Sequence, residues 1–321
     1  MMVIGDYMIE YSYPVRNAMP DIFELKEMPN EIWVGDHLNG FNANKTNPVF
    51  DFIAKHGHRA TVHYCQVIDE VVQARYPTLD FKLKLFNPIW MSFGEYCNPP
   101  PVDFKNFICT FNGSNHLSRQ FLTSALYKFN WWNTEYCSKN FAVDKDSIDG
   151  SLQQYCDRET EPVYRKFILD ETADDFYNSE RGFGFVRWDH GNNIHNLAPK
   201  LTQSFVHIAS ETVGHSYYPF VTEKFLYSVV TKGLFVTYGQ PGWHSHVEKY
   251  YGFKPYRRLF NYNFDTIENP VERLIELLCM LSKFSVLTRD EWHDLYNLEK
   301  DTIEFNYNHY YSKDYLKVLN G

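Results

Sequence analysis

Apolar and polar residues alternate along Leu79-Asp-Phe-Lys-Leu-Lys-Leu-Phe86, the period-two pattern of a strand with one buried face. Other segments upstream carry shorter signals. Ile32-Trp-Val-Gly35 reads as a brief apolar strand, and Pro48 opens a spacing of Val49, Phe52 and Ile53 that fits a short helix. Val67, Ile68, Val71 and Val72 extend a helical reading over residues 60–75. Residues 1–30 contain Pro14, Pro20 and Pro29 with little periodicity, so an irregular arm or a strand pair is expected there. Asn98-Pro-Pro-Pro101 breaks any regular element, because proline lacks an N–H and fixes φ, and it marks a linker.

Beyond that linker, Phe104–Phe111 forms an apolar strand, Asn112-Gly-Ser114 a turn, and Arg119, Phe121, Leu122, Ala125 and Leu126 lie on the following helix. Residues 142–200 give mixed signals, with an acidic run from Asp144 to Asp149 and a loop at Arg181-Gly-Phe-Gly184, and read as an insertion shaping an acceptor side. Regularity returns with Ser204-Phe-Val-His-Ile-Ala-Ser-Glu211. An aromatic loop then leads to Thr222-Glu-Lys224, a charged helix start, and on to a strand and the turn Gly239-Gln-Pro-Gly242. Pro270, with Val271, Leu274, Ile275, Leu278 and Leu281, begins an amphipathic helix suited to packing on a sheet.

Strand, helix and parallel strand in this order define an α/β chain, and ligands of open α/β sheets bind outside the carboxyl ends of the strands. Glu211, Glu223 and Lys224 are therefore expected at one sheet edge. A lysine in the first turn of a helix suits a phosphate-bearing ligand, since unpaired N–H groups and a partial positive charge collect there. In the plainer reading, Thr222 is an N-cap, Glu223 favours the helix dipole and Lys224 is solvated.

Length and composition narrow the classes. A chain of 321 residues suits two domains of about 150 residues each. Its 26 Phe, 24 Tyr and 7 Trp supply ample core material. The formal net charge of −9 argues against binding dominated by attraction to nucleic-acid phosphates, although Lys82, Lys84 and Arg257-Arg258 leave local positive patches and the aromatic run Phe305–Lys313 could stack on bases or sugars. No apolar run approaches the roughly 18 residues that would span a bilayer, and no basic, then apolar, leader opens the chain, so a cytoplasmic protein is expected, in the host cytoplasm if viral.

Six scattered cysteines read as reduced thiols. His56-Gly-His58 and His244-Ser-His246 each offer only two ligands and read as structural or solvated. A Walker loop, a complete Gly-x-Gly-x-x-Gly fingerprint and a Gly-x-Ser-x-Gly turn are all absent, which disfavours common kinases, dehydrogenases and hydrolases.

The order Glu211, Thr222-Glu223-Lys224, Gly233, Gly239 resembles the donor-binding region of two-domain, Rossmann-like (GT-B) glycosyltransferases, such as α1,3-fucosyltransferases and a set of phage and giant-virus sugar transferases. Gly239-x-Pro-Gly242, Gly252-Phe253 and Asn269-Pro270 continue the phage-type pattern. The resemblance spans roughly residues 105–280 and is a motif match. It implies that Glu211 contacts the donor sugar, Glu223 the nucleoside and Lys224 the diphosphate, with Arg119 helping to neutralise the diphosphate and Thr222 and Gly239 completing the donor site. The loop from Glu211 to Thr222 is longer than in fucosyltransferases and holds His215, Tyr217 and Tyr218, so fucose is not implied.

By the same resemblance, residues 1–100 form an acceptor-side Rossmann-like lobe, 101–288 the donor lobe, and 289–321 a segment crossing back to the first lobe. No cofactor or metal is implied, because basic groups replace Mg2+ in such donor lobes. An inverting reaction would need a base, for which Asp36, with His37 beside it, is the candidate, although Asp36 also suits a simple cap. The stereochemistry stays open. The phage-like motif suggests duplex DNA carrying a hydroxymethylated pyrimidine as acceptor; a glycan, a protein or lipopolysaccharide remains open, as does a non-catalytic carbohydrate- or nucleic-acid-binding protein.

Overall fold

Parallel pairing in two separate sheets organises the chain in the computed structural model, which describes residues 2–4, 7–9, 31–34, 45–56, 59–64, 68–83, 97–113, 117–139, 190–211 and 218–315. Asp36, His37, Lys84 and the acidic run at 144–149 lie outside the described residues. The first sheet has the order β2-β1-β3-β4-β5, with β1 (Met2–Ile4), β2 (Tyr7–Ile9), β3 (Glu31–Val34), β4 (Ala60–Tyr64) and β5 (Leu79–Leu83). Of the two readings of the first residues, the strand pair holds for β1 and β2, which are antiparallel. Strands β3, β4 and β5 are parallel, joined through α1 (Pro48–Lys55) and α2 (Glu70–Arg75).

Local chemistry fixes these helix starts. The Asn47 side chain accepts the N–H groups of Val49 and Phe50 while Pro48 takes a position that needs no N–H donor, and Asp69 caps α2 through the Val72 N–H. Helix was expected across residues 60–75, but Ala60–Tyr64 is a strand and only Glu70–Arg75 is helical. Ala60, Val62 and Tyr64 point into the core while Thr61 and His63 are half-buried, a period-two pattern that the helical spacing further along had masked.

The second sheet has the order β7-β6-β8-β9 and is parallel throughout, with β6 (Asn106–Asn112), β7 (Cys137–Lys139), β8 (Ser204–Ser210) and β9 (Phe235–Tyr238). Every residue of β8 is buried, as in a central strand covered on both faces. The surrounding helices are α3 (Leu117–Lys128), α4 (His190–Gln203), α5 (Lys224–Val230), α6 (Trp243–Tyr251), α7 (Pro270–Ser285), α8 (Arg289–Leu298) and α9 (Lys300–Tyr311). Asn269 caps α7 ahead of Pro270, and a Thr288–Glu291 capping box starts α8.

Through residue 315, the C-terminal helices contribute to the apolar cluster of the second sheet. Trp292 stacks on Phe205 and donates its indole N–H to the Phe284 carbonyl at 2.8 Å, Glu304 pairs with Lys232 at 2.8 Å, and Tyr315 is fully buried in the same core. Trp292 sets α8 against β8 and α7, and Ile303 and Tyr310 are buried on α9, which packs against α5. Among the described residues, no helix is long and apolar enough to cross a membrane.

Each sheet has its own apolar cluster, and one segment belongs to both. Tyr218 and Phe220 follow β8 in the chain, yet their side chains join the first sheet's cluster with Phe50, Val62 and Tyr64. The Phe220 backbone is held from the other side: its N–H donates to Gln240 Oε1 at 3.2 Å and its carbonyl accepts from Trp243 Nε1 at 3.3 Å. Burial pushes Asp69 upward, but hydrogen bonds from Lys45, the Val72 N–H and Tyr218 outweigh it and bring the carboxyl to about 2. Residues 218–222 thus pin the two sheets together next to the charged helix start.

Two buried histidines give the fold an acid sensitivity. Burial holds His207 down at about 3 and, with help from the Lys249 charge, His246 at about 4, against about 6.5 unfolded. As pH falls below about 6.5 the unfolded chain takes up protons that the folded chain refuses, so stability drops toward pH 4 by up to about 1.4 kcal/mol per pH unit for each histidine. Asp69 adds to this loss only below its unfolded value of 3.8. Urea unfolding at pH 7, 6 and 5 should show a steady fall, with a shallower slope in His246→Gln; equal stability at pH 7 and 5 would contradict the assignment.

Candidate functional site

Strands β6, β8 and β9 are parallel neighbours, so their carboxyl ends bring Gly113, Glu211 and Gly239 to one edge of the second sheet. Ser210 is in register with Tyr238, and the Glu211 N–H extends the ladder to the Tyr238 carbonyl at 3.0 Å. The Glu211 side chain has no exposed surface. Its Oε1 accepts the Thr222 N–H at 3.0 Å, and its Oε2 accepts the Thr222 hydroxyl at 2.7 Å and the Lys224 ammonium at 3.4 Å. Lys224 also donates to Thr222 Oγ1 at 2.6 Å, so the hydroxyl relays one donor to the next. The lysine side chain keeps 15% exposure and is the charged end of the cluster nearest solvent.

A buried carboxylate needs donors, and Glu211 takes those of Thr222 and Lys224. Thr222 is not the cap of α5; Glu223 holds that position, half-buried, with no side-chain cap hydrogen bond. With only seven residues, α5 contributes little dipole, and attraction for an anion rests on the Lys224 ammonium. On the neighbouring helix, the Ser118 hydroxyl donates to the Glu211 carbonyl at 3.3 Å, which sets the first turn of α3 against the site. Arg119 is the next residue and is 3% exposed.

Sequence reasoning brought together Glu211, Thr222, Lys224 and Gly239 but missed the residues that frame them. Gln240 is fully buried and links the β9 turn to Phe220. Asp265 Oδ1 accepts from His244 Nδ1 at 2.9 Å, while His244 Nε2 accepts the Thr237 N–H at 3.0 Å, so the ring proton sits on Nδ1 and the pair locks the start of α6. His244 is thereby structural, one of its two expected readings. Ser210 Oγ, Asn112 Oδ1 and Gln240 Nε2 are buried near the same carboxyl edge, with no hydrogen-bond partner among the described residues. No sequence signal marks Ser118 or Gln240, because their partners lie 93 and 20 residues away.

Gly239 is needed for space. A Cβ there would stand 3.1 Å from Trp243 Cδ1 and 3.4 Å from Glu211 Cγ. Trp243 is fully buried and has no room to retreat, so Gly239→Ala should cost about 1–3 kcal/mol. A chemical-denaturation midpoint unchanged from wild type would show that the turn is looser than this geometry.

Other candidate chemistry is internal. Arg257 makes two 2.7 Å bonds to Glu248, and Arg258 is bonded to Leu298 and Glu299, so that pair is engaged within the protein. The Phe305–Tyr311 run is part of α9. Burial pushes the Cys97 and Cys137 thiols up to about 12, which suits inert thiols rather than nucleophiles. Among the described residues, no group of three or more His, Cys, Asp or Glu is placed to hold a metal ion. No protein-family profile, no curated protein and no solved structure matches this chain.

Proposed function

We propose that this chain is a glycosyltransferase that moves a sugar from a nucleoside-diphosphate donor to a hydroxyl acceptor. The observation that carries the reading is the Lys224 ammonium, held by Glu211 and Thr222 at the carboxyl ends of parallel strands and close to solvent. In the reaction the bond from the anomeric carbon to the diphosphate oxygen breaks, and the departing oxygen keeps the electron pair. A bond from the acceptor oxygen forms, and the hydroxyl proton passes to a base. Lys224, backed by Arg119, offsets the charge on the leaving diphosphate, Glu223 holds the nucleoside, and Asp36 takes the proton if the reaction inverts. Residues 1–100 and 101–288 form acceptor and donor lobes of a GT-B arrangement in this reading, with a hydroxymethylated pyrimidine of phage duplex DNA as the acceptor.

Release of nucleoside diphosphate from a panel of UDP-, GDP- and ADP-sugars tests the proposal, with hydroxymethylated DNA, plain DNA and neutral glycans as separate acceptor arms. Release with the hydroxymethylated duplex alone supports the full reading, release with a glycan alone moves the acceptor, and release with no donor in any arm defeats it. The reaction is expected to proceed in excess chelator. Asp144-Lys145-Asp146 supplies an Asp-x-Asp spacing, and turnover restored only by Mn2+ would point to it.

A further inference from the structure

A cavity of about 560 Å³ lies at the end of the second sheet opposite the Glu211 cluster. Asn106, the first residue of β6, borders it, whereas the Glu211 site sits at the strand's other end. A seven-residue strand separates the two by about 20 Å. Its aromatic lining is Phe107, Tyr127, Trp131 and Trp132, each partly buried against the main core. Its polar lining is Asn106, Asn130, Asn133, Thr134 and Ser285, and among the described residues no charged side chain lines it.

The loop that carries the tryptophans is built to hold them still. Asn130 adopts φ 58° just past the end of α3, its N–H bonds to the Tyr127 carbonyl at 3.0 Å, and the Trp131 N–H reaches back to the Leu126 carbonyl at 2.9 Å. This pair of bonds is a Schellman motif, with asparagine in the left-handed position usually given to glycine. Trp131 also stands edge-on to Phe107 with ring centroids 5.1 Å apart. Asn133 Nδ2 donates to Asn106 Oδ1 at 3.3 Å, and Asn106 Nδ2 donates to the Ile108 carbonyl, so both amides are oriented with a second N–H each beyond those bonds.

We infer that this cavity is a binding site for a neutral oligosaccharide, separate from the proposed donor site. A pyranose ring has an apolar C–H face and a polar rim of hydroxyls. Fixed indole and phenol rings match the first, and oriented amides and hydroxyls match the second. Among the described residues the lining offers no cation to a phosphate backbone or an anionic sugar. At about 20 Å from Lys224 the site does not present the reacting hydroxyl; it anchors a glycan elsewhere on the protein. The inference does not depend on the transferase reading.

The test titrates the full-length protein with cellohexaose, maltohexaose, chitohexaose and mannohexaose, read by tryptophan fluorescence and saturation-transfer NMR. At least one should bind, and Trp131→Ala should weaken it about tenfold or more. Thr134 is exposed, so Thr134→Arg blocks the cavity without touching the core and should weaken binding equally. Lys224→Ala should leave this affinity within about twofold, which separates the site from the proposed donor site. No binding to any of the four, binding that survives Thr134→Arg, or a dT10 oligonucleotide that binds in their place and is lost with Trp131→Ala would overturn the inference.

Discussion

Glu211→Ala should destabilise the protein by about 3–5 kcal/mol, the usual cost of removing one partner from a buried, charge-assisted network. The carboxylate has no exposed surface and accepts three donors. Its removal leaves the buried Thr222 N–H and hydroxyl unmatched and takes away the anion beside Lys224. Glu211→Gln keeps an acceptor for the Thr222 N–H but loses the charge, so an intermediate loss is expected. Chemical denaturation of the two variants beside wild type checks both numbers. A loss under about 0.5 kcal/mol in the alanine variant would mean that Glu211 does not organise the segment.

Lys224→Ala should lower turnover by about 10²–10³, the scale observed when one group that stabilises developing negative charge is removed. Its effect on stability should be smaller, about 1–3 kcal/mol, because Glu211 keeps both donors of Thr222. Lys224→Arg should restore little, since a planar fork does not replace a point donor held at 2.6 Å from Thr222 Oγ1. Comparing kcat for the donor reaction with unfolding midpoints separates the two effects. Turnover that falls only in proportion to folded protein would assign Lys224 a purely structural role.

Much of the fold was legible where local chemistry and packing agree. The alternation through Leu79–Leu83, the Pro48 and Asn269-Pro270 helix starts and the strand over Ser204–Ser210 all lie where the sequence puts them. Elements set by tertiary contact were not. Strand β4 is short and borders a helical spacing, β7 is three residues without a pattern, and α4 runs through Pro199. The site shows the same division. Glu211, Thr222 and Lys224 are named by their order in the chain, but the inward turn of the carboxylate and the bridging Thr222 hydroxyl depend on a loop whose geometry the second sheet and Phe220 impose.

Binding of nucleoside diphosphates is the most direct test of the proposed donor site. UDP, GDP and ADP, and their sugars, would be titrated against wild type and Lys224→Ala by thermal shift and calorimetry. At least one should stabilise wild type, by about 2.7 kcal/mol at a hundredfold excess over its Kd, and the gain should vanish in Lys224→Ala. No stabilisation by any of them, or an equal gain in the variant, would contradict a donor site at Lys224.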